Sequence, residues 1–228
     1  VIKGTIGFGM PTVSISLLIF LMDIKLIIGL ILIPTIVVNA YQLTRGRNFK
    51  KIFNETKFFL FSSMVFIFPG TYMLNLINSQ YIILFIAFVL LTNSILFLSN
   101  KRYTLPSHKS PFTQMLIGSI NGVIIGMTSI YTMPLIFLLQ SLKYNKNTTV
   151  QFLGIAFFMY PIAQLLSFAN LNLISLDIIK SSFLSLIPIF LGLYIGQKIR
   201  NRISERLFQK FFYGMLLIMS FVIIIFLI

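Results

Sequence analysis

The chain has no cysteine, a single histidine and four acidic residues among its 228 positions. Without cysteine there can be no disulfide, thiolate metal site or thiol nucleophile, and the redox compartment is left open. The lone His108 lies in a loop and reads as solvated. The ten methionines are scattered as core filler, so no metal or cofactor is expected. The four carboxylates, Asp23, Glu55, Asp177 and Glu205, fall in loops or at helix ends. A buried carboxylate relay of the kind used by coupled pumps is therefore not visible. No GxxxxGK[ST] loop is present, which removes ATP as the obvious driver. Convergent nucleophiles, bases and metal ligands are scarce, and the chain does not read as an enzyme.

What is present is apolar. Hydrophobic residues make up 57% of the chain and charged residues 10%, with a mean hydropathy of +0.97. A soluble domain carries roughly 25% charged residues, so the composition predicts an all-α polytopic membrane protein. Residues 26–43, 57–76, 80–99, 148–169, 178–197 and 211–228 each approach the ~20 residues that a spanning helix needs. The chain opens in the middle of a motif, and the expectation is that its N-terminal arm is truncated. No cleavable signal peptide with a charged head and small-residue cleavage site is recognisable.

Two stretches interrupt the apolar pattern, GTIGFGMP at residues 4–11 and GVIIGMTSIYTMP at residues 122–134. In each, glycines precede a proline and the helical pattern resumes beyond it. Such breaks are tolerated at membrane depth only where protein or a water-filled cavity satisfies the freed backbone groups. Paired breaks in corresponding places of two halves point to a transport site.

Basic loops orient the crossings. Arg45, Arg47, Lys50, Lys51 and Lys57 fill the first, Lys101, Arg102 and Lys109 the second, and Lys198, Arg200, Arg202, Arg206 and Lys210 the third. Short loops of this kind stay on the cytoplasmic side, which accounts for most of the +14 net charge. Contact with membrane lipids is expected and nucleic-acid binding is not. Two full crossings, 148–169 and 178–197, lie between the second and third loops together with residues 112–140, which must then cross an even number of times. Their two arms, 112–126 and 129–140, are too short to span singly. A re-entrant hairpin satisfies both constraints.

The halves align in order: broken hairpin, helix with Pro34 or Pro161, helix with Pro69 or Pro188, final helix. Their loops exchange charge character, as an inverted-topology repeat requires. The predicted organisation is a first membrane repeat over 1–100, a cytoplasmic basic linker over 101–111 and a second repeat over 112–228. Each repeat is a broken or re-entrant helical hairpin plus three spanning helices. The two hairpins are expected to enter from opposite faces and meet near the bilayer centre.

GFGMP before an apolar helix, the Gly122-to-Pro134 motif, and PIFLGLYIGQKIRNRISERLFQKFFYGMLLI together resemble the TauE/SafE sulfite exporter family of bacterial membrane transporters. The resemblance covers essentially the whole chain. In the second motif Ser129, Tyr131 and Thr132 stand where the family commonly has glycine. The resemblance implies movement of small anions such as sulfite or sulfonates across the bacterial inner membrane, by a multi-pass secondary carrier or facilitator.

The tips suit an anion. A helix that restarts inside the membrane presents unpaired N–H groups and the positive end of its dipole. Gly7, Gly9 and Gly126 let backbone approach a ligand, Pro11 and Pro134 mark the restarts, and Thr128, Ser129 and Thr132 offer hydroxyl donors. Asn39 and Gln164, with Asn121 and Tyr160, are polar groups in apolar helices that either line a cavity or bond between helices. The candidate substrate-binding set is thus Gly7, Gly9, Pro11, Asn39, Gly126, Thr128, Ser129, Thr132, Pro134 and Gln164. The competing reading gives each glycine a packing role and each hydroxyl a bond to its own helix. A transporter of a non-sulfur solute shares every feature; a non-transporting membrane scaffold predicts no flux. The oligomeric state is not legible.

Overall fold

The computed structural model describes residues 1–44, 46–99, 104–105, 107–200 and 204–227. Arg45, Arg202 and the start of the 101–111 linker lie outside the described residues, as do the side chains of Lys146, Arg200 and Arg206.

Among the described residues the structure is helical throughout, without strands: α1 (Ile2–Ile6), α2 (Met10–Leu18), α3 (Ile24–Thr44), α4 (Phe49–Leu76), α5 (Ser79–Leu98), α6 (Pro111–Thr128), α7 (Met133–Leu142), α8 (Lys146–Asn170), α9 (Leu176–Arg200) and α10 (Glu205–Leu227). Six of them, α3, α4, α5, α8, α9 and α10, contain stretches long and apolar enough to cross a bilayer. The chain is a multi-pass membrane protein. Helix is the form that satisfies every backbone group within its own segment where lipid offers no partners.

Local chemistry sets the ends. Asn78 Oδ1 accepts from the Gln80 amide and Asn145 Oδ1 from the Thr148 amide, both at 2.9 Å, as N-caps do. Pro11, Pro111 and Pro134 occupy first turns, where a missing N–H is harmless.

Two helices start earlier than the apolar runs suggest. α4 begins at Phe49 rather than near residue 57, and α10 at Glu205 rather than 211. Hydropathy reports where lipid begins, whereas a helix continues into water as long as its backbone is fixed. At α4 that fixing is visible. The Asn48 amide donates to Gln151 Oε1 at 3.0 Å, Asn48 Nδ2 to Thr148 Oγ1 at 2.9 Å, and Gln42 Nε2 to the Val150 carbonyl at 3.0 Å.

The chain forms two compact units, Val1–Pro34 with Asn78–Lys101 and Ser175–Ile228, and Thr35–Ile77 with Arg102–Ile174. One boundary falls at Pro34, inside α3. In the first unit α5 packs along α10, where the Phe97 and Tyr213 rings stack at 3.9 Å, and α1 packs on α9. Ser182 of α9 donates to the Gly29 carbonyl of α3 at 3.3 Å. In the second unit α4 is the hub, with α6 and α8 against it.

The α4–α6 approach is close because α6 carries glycine every fourth residue. A Cβ on Gly118 would meet the Phe59 carbonyl at 2.6 Å, one on Gly122 the Ser63 carbonyl at 2.3 Å, and one on Gly126 the Ile67 carbonyl at 2.4 Å. Small residues at this spacing bring membrane helices to backbone contact, which gains dispersion where burial from lipid gains little. The α1–α9 contact uses the same device, with Gly4 against the Leu193 carbonyl and Gly196 against the Val1 carbonyl.

Candidate functional site

The second hairpin is α6, the connection 129–132 and α7. The first arm, expected to end at Gly126, runs unbroken through Gly122 and Gly126 to Thr128. Helix resumes at Met133 rather than at Ser129. Glycine does not stop a membrane helix when its missing side chain is what lets a neighbour pack. The stop is made by Ser129, which takes the left-handed conformation at φ 52°. Left-handed backbone is strained for a residue with a Cβ, so its surroundings must hold it there.

Gln164 of α8 does the holding. Its Nε2 donates to the Ile125 and Gly126 carbonyls, each at 3.2 Å, and its Oε1 accepts from the Ser129 hydroxyl at 2.7 Å. The last carbonyls of a helix lack intrahelical partners, and here a glutamine from another helix serves that of Gly126 and shares that of Ile125 with the Ser129 amide. Thr128 completes the turn. Its hydroxyl donates to the Ile124 carbonyl at 2.6 Å and accepts from the Ile130 amide at 3.1 Å. Ser129, Ile130 and Tyr131 are buried although none of them is helical. This irregular backbone is thus enclosed by protein.

Beside this turn lie polar atoms that remain unsatisfied. The Tyr131 and Tyr160 hydroxyls and Asn121 Oδ1 are buried without a well-formed hydrogen bond, although Ser129 lies close to the first hydroxyl and Ser63 and Asn121 to the second. The two rings stand edge to face at 6.1 Å, and Phe157 packs on Tyr131 at 5.4 Å. Asn121 Nδ2 donates to Ser63 Oγ at 3.0 Å, next to the Tyr160 hydroxyl. Buried polar groups are almost always paired, so orphans gathered at one place ask for a guest. A phenol is a donor and acceptor in one group.

The first hairpin is α1, the connection 7–9 and α2. Gly7 and Gly9 both have left-handed backbone, φ 88° and 87°. Only glycine adopts this without strain. Nothing lies within 4 Å of a Cβ placed on Gly7, whereas one on Gly9 would meet the Phe212 ring at 2.8 Å. Thr5 Oγ1 bonds the Val1 and Gly196 carbonyls, each at 3.2 Å. Lys3 is 8% exposed and lines a cavity of about 280 Å³ with Met10, Ser14, Pro188 and Gly192.

The sequence-derived candidates therefore separate. Thr128, Ser129, Thr132, Pro134 and Gln164 are brought together at the second break. Of these, Thr128, Ser129 and Gln164 spend hydrogen bonds on holding it. Gly126 faces α4. Gly7, Gly9 and Pro11 gather at the first break. Asn39, on α3, donates to the Thr35 carbonyl one turn back at 2.7 Å. Two residues escaped the sequence reading, Lys3 and Tyr131, the latter noted only as standing where the family commonly has glycine; Tyr160 entered it as one polar group among several. The available signal was a tyrosine inside, or facing, a non-helical turn, and a lysine one turn ahead of a glycine break.

The family described as "Sulfite exporter TauE/SafE" matches the chain over residues 1–223. No curated protein and no solved structure matches the chain.

Proposed function

Since the chain belongs to the sulfite exporter TauE/SafE family of membrane transporters, we propose that it moves a small oxyanion, sulfite or a small sulfonate, across the bacterial inner membrane. It acts as a secondary carrier or facilitator by alternating access. An inside-negative potential favours export of an anion by about 2.3 kcal/mol per charge per 100 mV.

The observation that carries this reading is the enclosed break between α6 and α7, flanked by two buried phenol hydroxyls that make no well-formed hydrogen bond to protein. In the bound state Tyr131 and Tyr160 donate to oxyanion oxygens, and the positive end of the α7 dipole adds to their pull. Thr128, Ser129 and Gln164 fix the turn that positions them, with Thr132 and Pro134 setting the restart. In the first unit the buried amine of Lys3 lines a cavity next to the Gly7-to-Pro11 tip and is a donor for an anion there. A lysine at membrane depth is expensive unless it serves solute or ion movement.

Two inverted repeats account for the helix partnerships within each unit. α6 packs on α4 as α1 packs on α9, and α8 packs on α4 where α3 meets α9 through the Ser182–Gly29 hydrogen bond. Equating α1 with α6, α3 with α8, and α4 with α9 maps one set of contacts onto the other, and each hairpin then leans on a helix of the other repeat.

Uptake of sulfite, a small sulfonate and chloride into proteoliposomes tests the proposal. Tyr131→Phe and Tyr160→Phe each remove one hydroxyl and little volume. Each lowers oxyanion flux at limiting substrate by about tenfold or more, since a hydrogen bond to a charged group contributes about 1.5–3 kcal/mol. Unchanged flux in both, with the protein folded, removes the site. Flux of chloride alone replaces the substrate class.

A further inference from the structure

A polar cavity lies wholly within the second unit, lined by none of the residues of the 129–132 turn. It measures about 570 Å³ and is lined from three directions: Lys51 and Glu55 on α4, Lys109 and Gln114 at the start of α6, and Lys143 and Tyr144 between α7 and α8. That volume falls in the range of small-molecule sites, about 300–1,000 Å³.

Its chemistry is biased towards a doubly charged guest. Three ammonium groups face one carboxylate, and that carboxylate already accepts the Tyr144 hydroxyl at 2.5 Å. Burial, and then the Glu55 carboxylate, push the Tyr144 phenol well above its usual range, so it remains a protonated donor. α6 and α8 both begin beside the cavity and turn their positive dipole ends towards it. Lysines are strongly hydrated point charges suited to phosphate.

An independent observation is Gln114, which is 3% exposed. Its Nε2 is fixed by the Glu55 and His108 carbonyls at 2.7 and 3.1 Å, while its Oε1 is buried with no partner. Because both donor contacts set the orientation of the amide, Oε1 requires a donor from outside. Sulfate has none, and inorganic phosphate, although it carries a proton, underfills the cavity. A phosphate ester with a hydroxyl supplies negative charge for the lysines and a proton for Gln114.

The geometry points to a binding site for a phosphate group carried by a hydroxylated ester, on the basic loop end of the second unit. The same chemistry is offered by a soluble ester such as glycerol 3-phosphate and by the head of phosphatidylglycerol. Binding is independent of flux, so it stands or falls separately from the transport reading.

The full chain in phosphatidylcholine nanodiscs is titrated with radiolabelled glycerol 3-phosphate and with inorganic phosphate. Saturable binding is expected, tighter for the ester. Lys109→Gln and Lys143→Gln each weaken it about tenfold, the size expected of a charge-assisted contact, while Lys180→Gln on α9 does not. Thermal unfolding without ligand confirms that the variants are folded. Discs containing phosphatidylglycerol separate the sources. Loss of ester binding there identifies the lipid head as the occupant, and retained binding identifies a soluble ester. No saturable binding in phosphatidylcholine, equal binding of ester and phosphate, or indifference to both lysine variants overturns the proposal.

Discussion

The two broken hairpins reach the same outcome by opposite means. In the first, the backbone turns at Gly7 and Gly9, whose left-handed conformations need no support. In the second it turns at Ser129, a residue that resists φ 52° and is held by Gln164 and by the Thr128 hydroxyl. One break is written into the chain and the other is imposed by neighbours. Glycine accordingly means different things in the two places: conformational freedom at the first tip, close helix contact along the second arm.

The largest test of that contrast is Gly126→Ala. The added Cβ would lie within 2.4 to 2.7 Å of α4 backbone at Ile67, Gly70 and Thr71. Backbone cannot swing aside as a side chain can, and a loss of about 3 kcal/mol is expected, read as thermal unfolding in micelles. A mild effect would mean that the α4–α6 approach does not hold the second hairpin.

Gln164→Leu comes next. It strips the Gly126 carbonyl and the Ser129 hydroxyl of their Gln164 partner, and stability should fall by about 2 kcal/mol, the cost of leaving buried polar groups unmet. Faster hydrogen exchange at the 129–132 turn would place the loss there. An unaffected turn would show that Ser129 holds its conformation unaided.

The smallest effect is a pair of opposite sign. Neither Gly7 nor Gly214 has anything within 4 Å of an added Cβ, but Gly7 has φ 88° while Gly214 lies inside α10. Gly7→Ala should destabilise by about 1 kcal/mol through left-handed strain alone. Gly214→Ala should stabilise by about 0.5–1 kcal/mol through helix propensity. Equal outcomes would deny the first tip its dependence on backbone freedom.

Much of the fold was legible because the bilayer is a simple solvent. Apolar length predicts a crossing, and all six predicted crossings coincide with candidate spans. The Gly7-to-Pro11 break was legible for the same kind of reason, since glycine and proline act on their own backbone. Gly126 was legible only as one of two readings, because a glycine reads alike whether it turns a chain or admits a neighbour. The basic residue run 49–57 was read as loop, although its helix is fixed by Asn48 bonding to residues about a hundred positions away.

By itself the sequence determined the all-helical membrane class, the six crossings and the presence of two interruptions. Each follows from single residues, or short runs of them, meeting lipid or their own peptide bonds. Only the tertiary structure decided that the second interruption falls at Ser129, that Gln164 closes it, and that Tyr131 and Tyr160 are left facing each other with unused hydroxyls. Those outcomes depend on which distant group arrives at a given carbonyl, and no local pattern in the chain encodes that arrival.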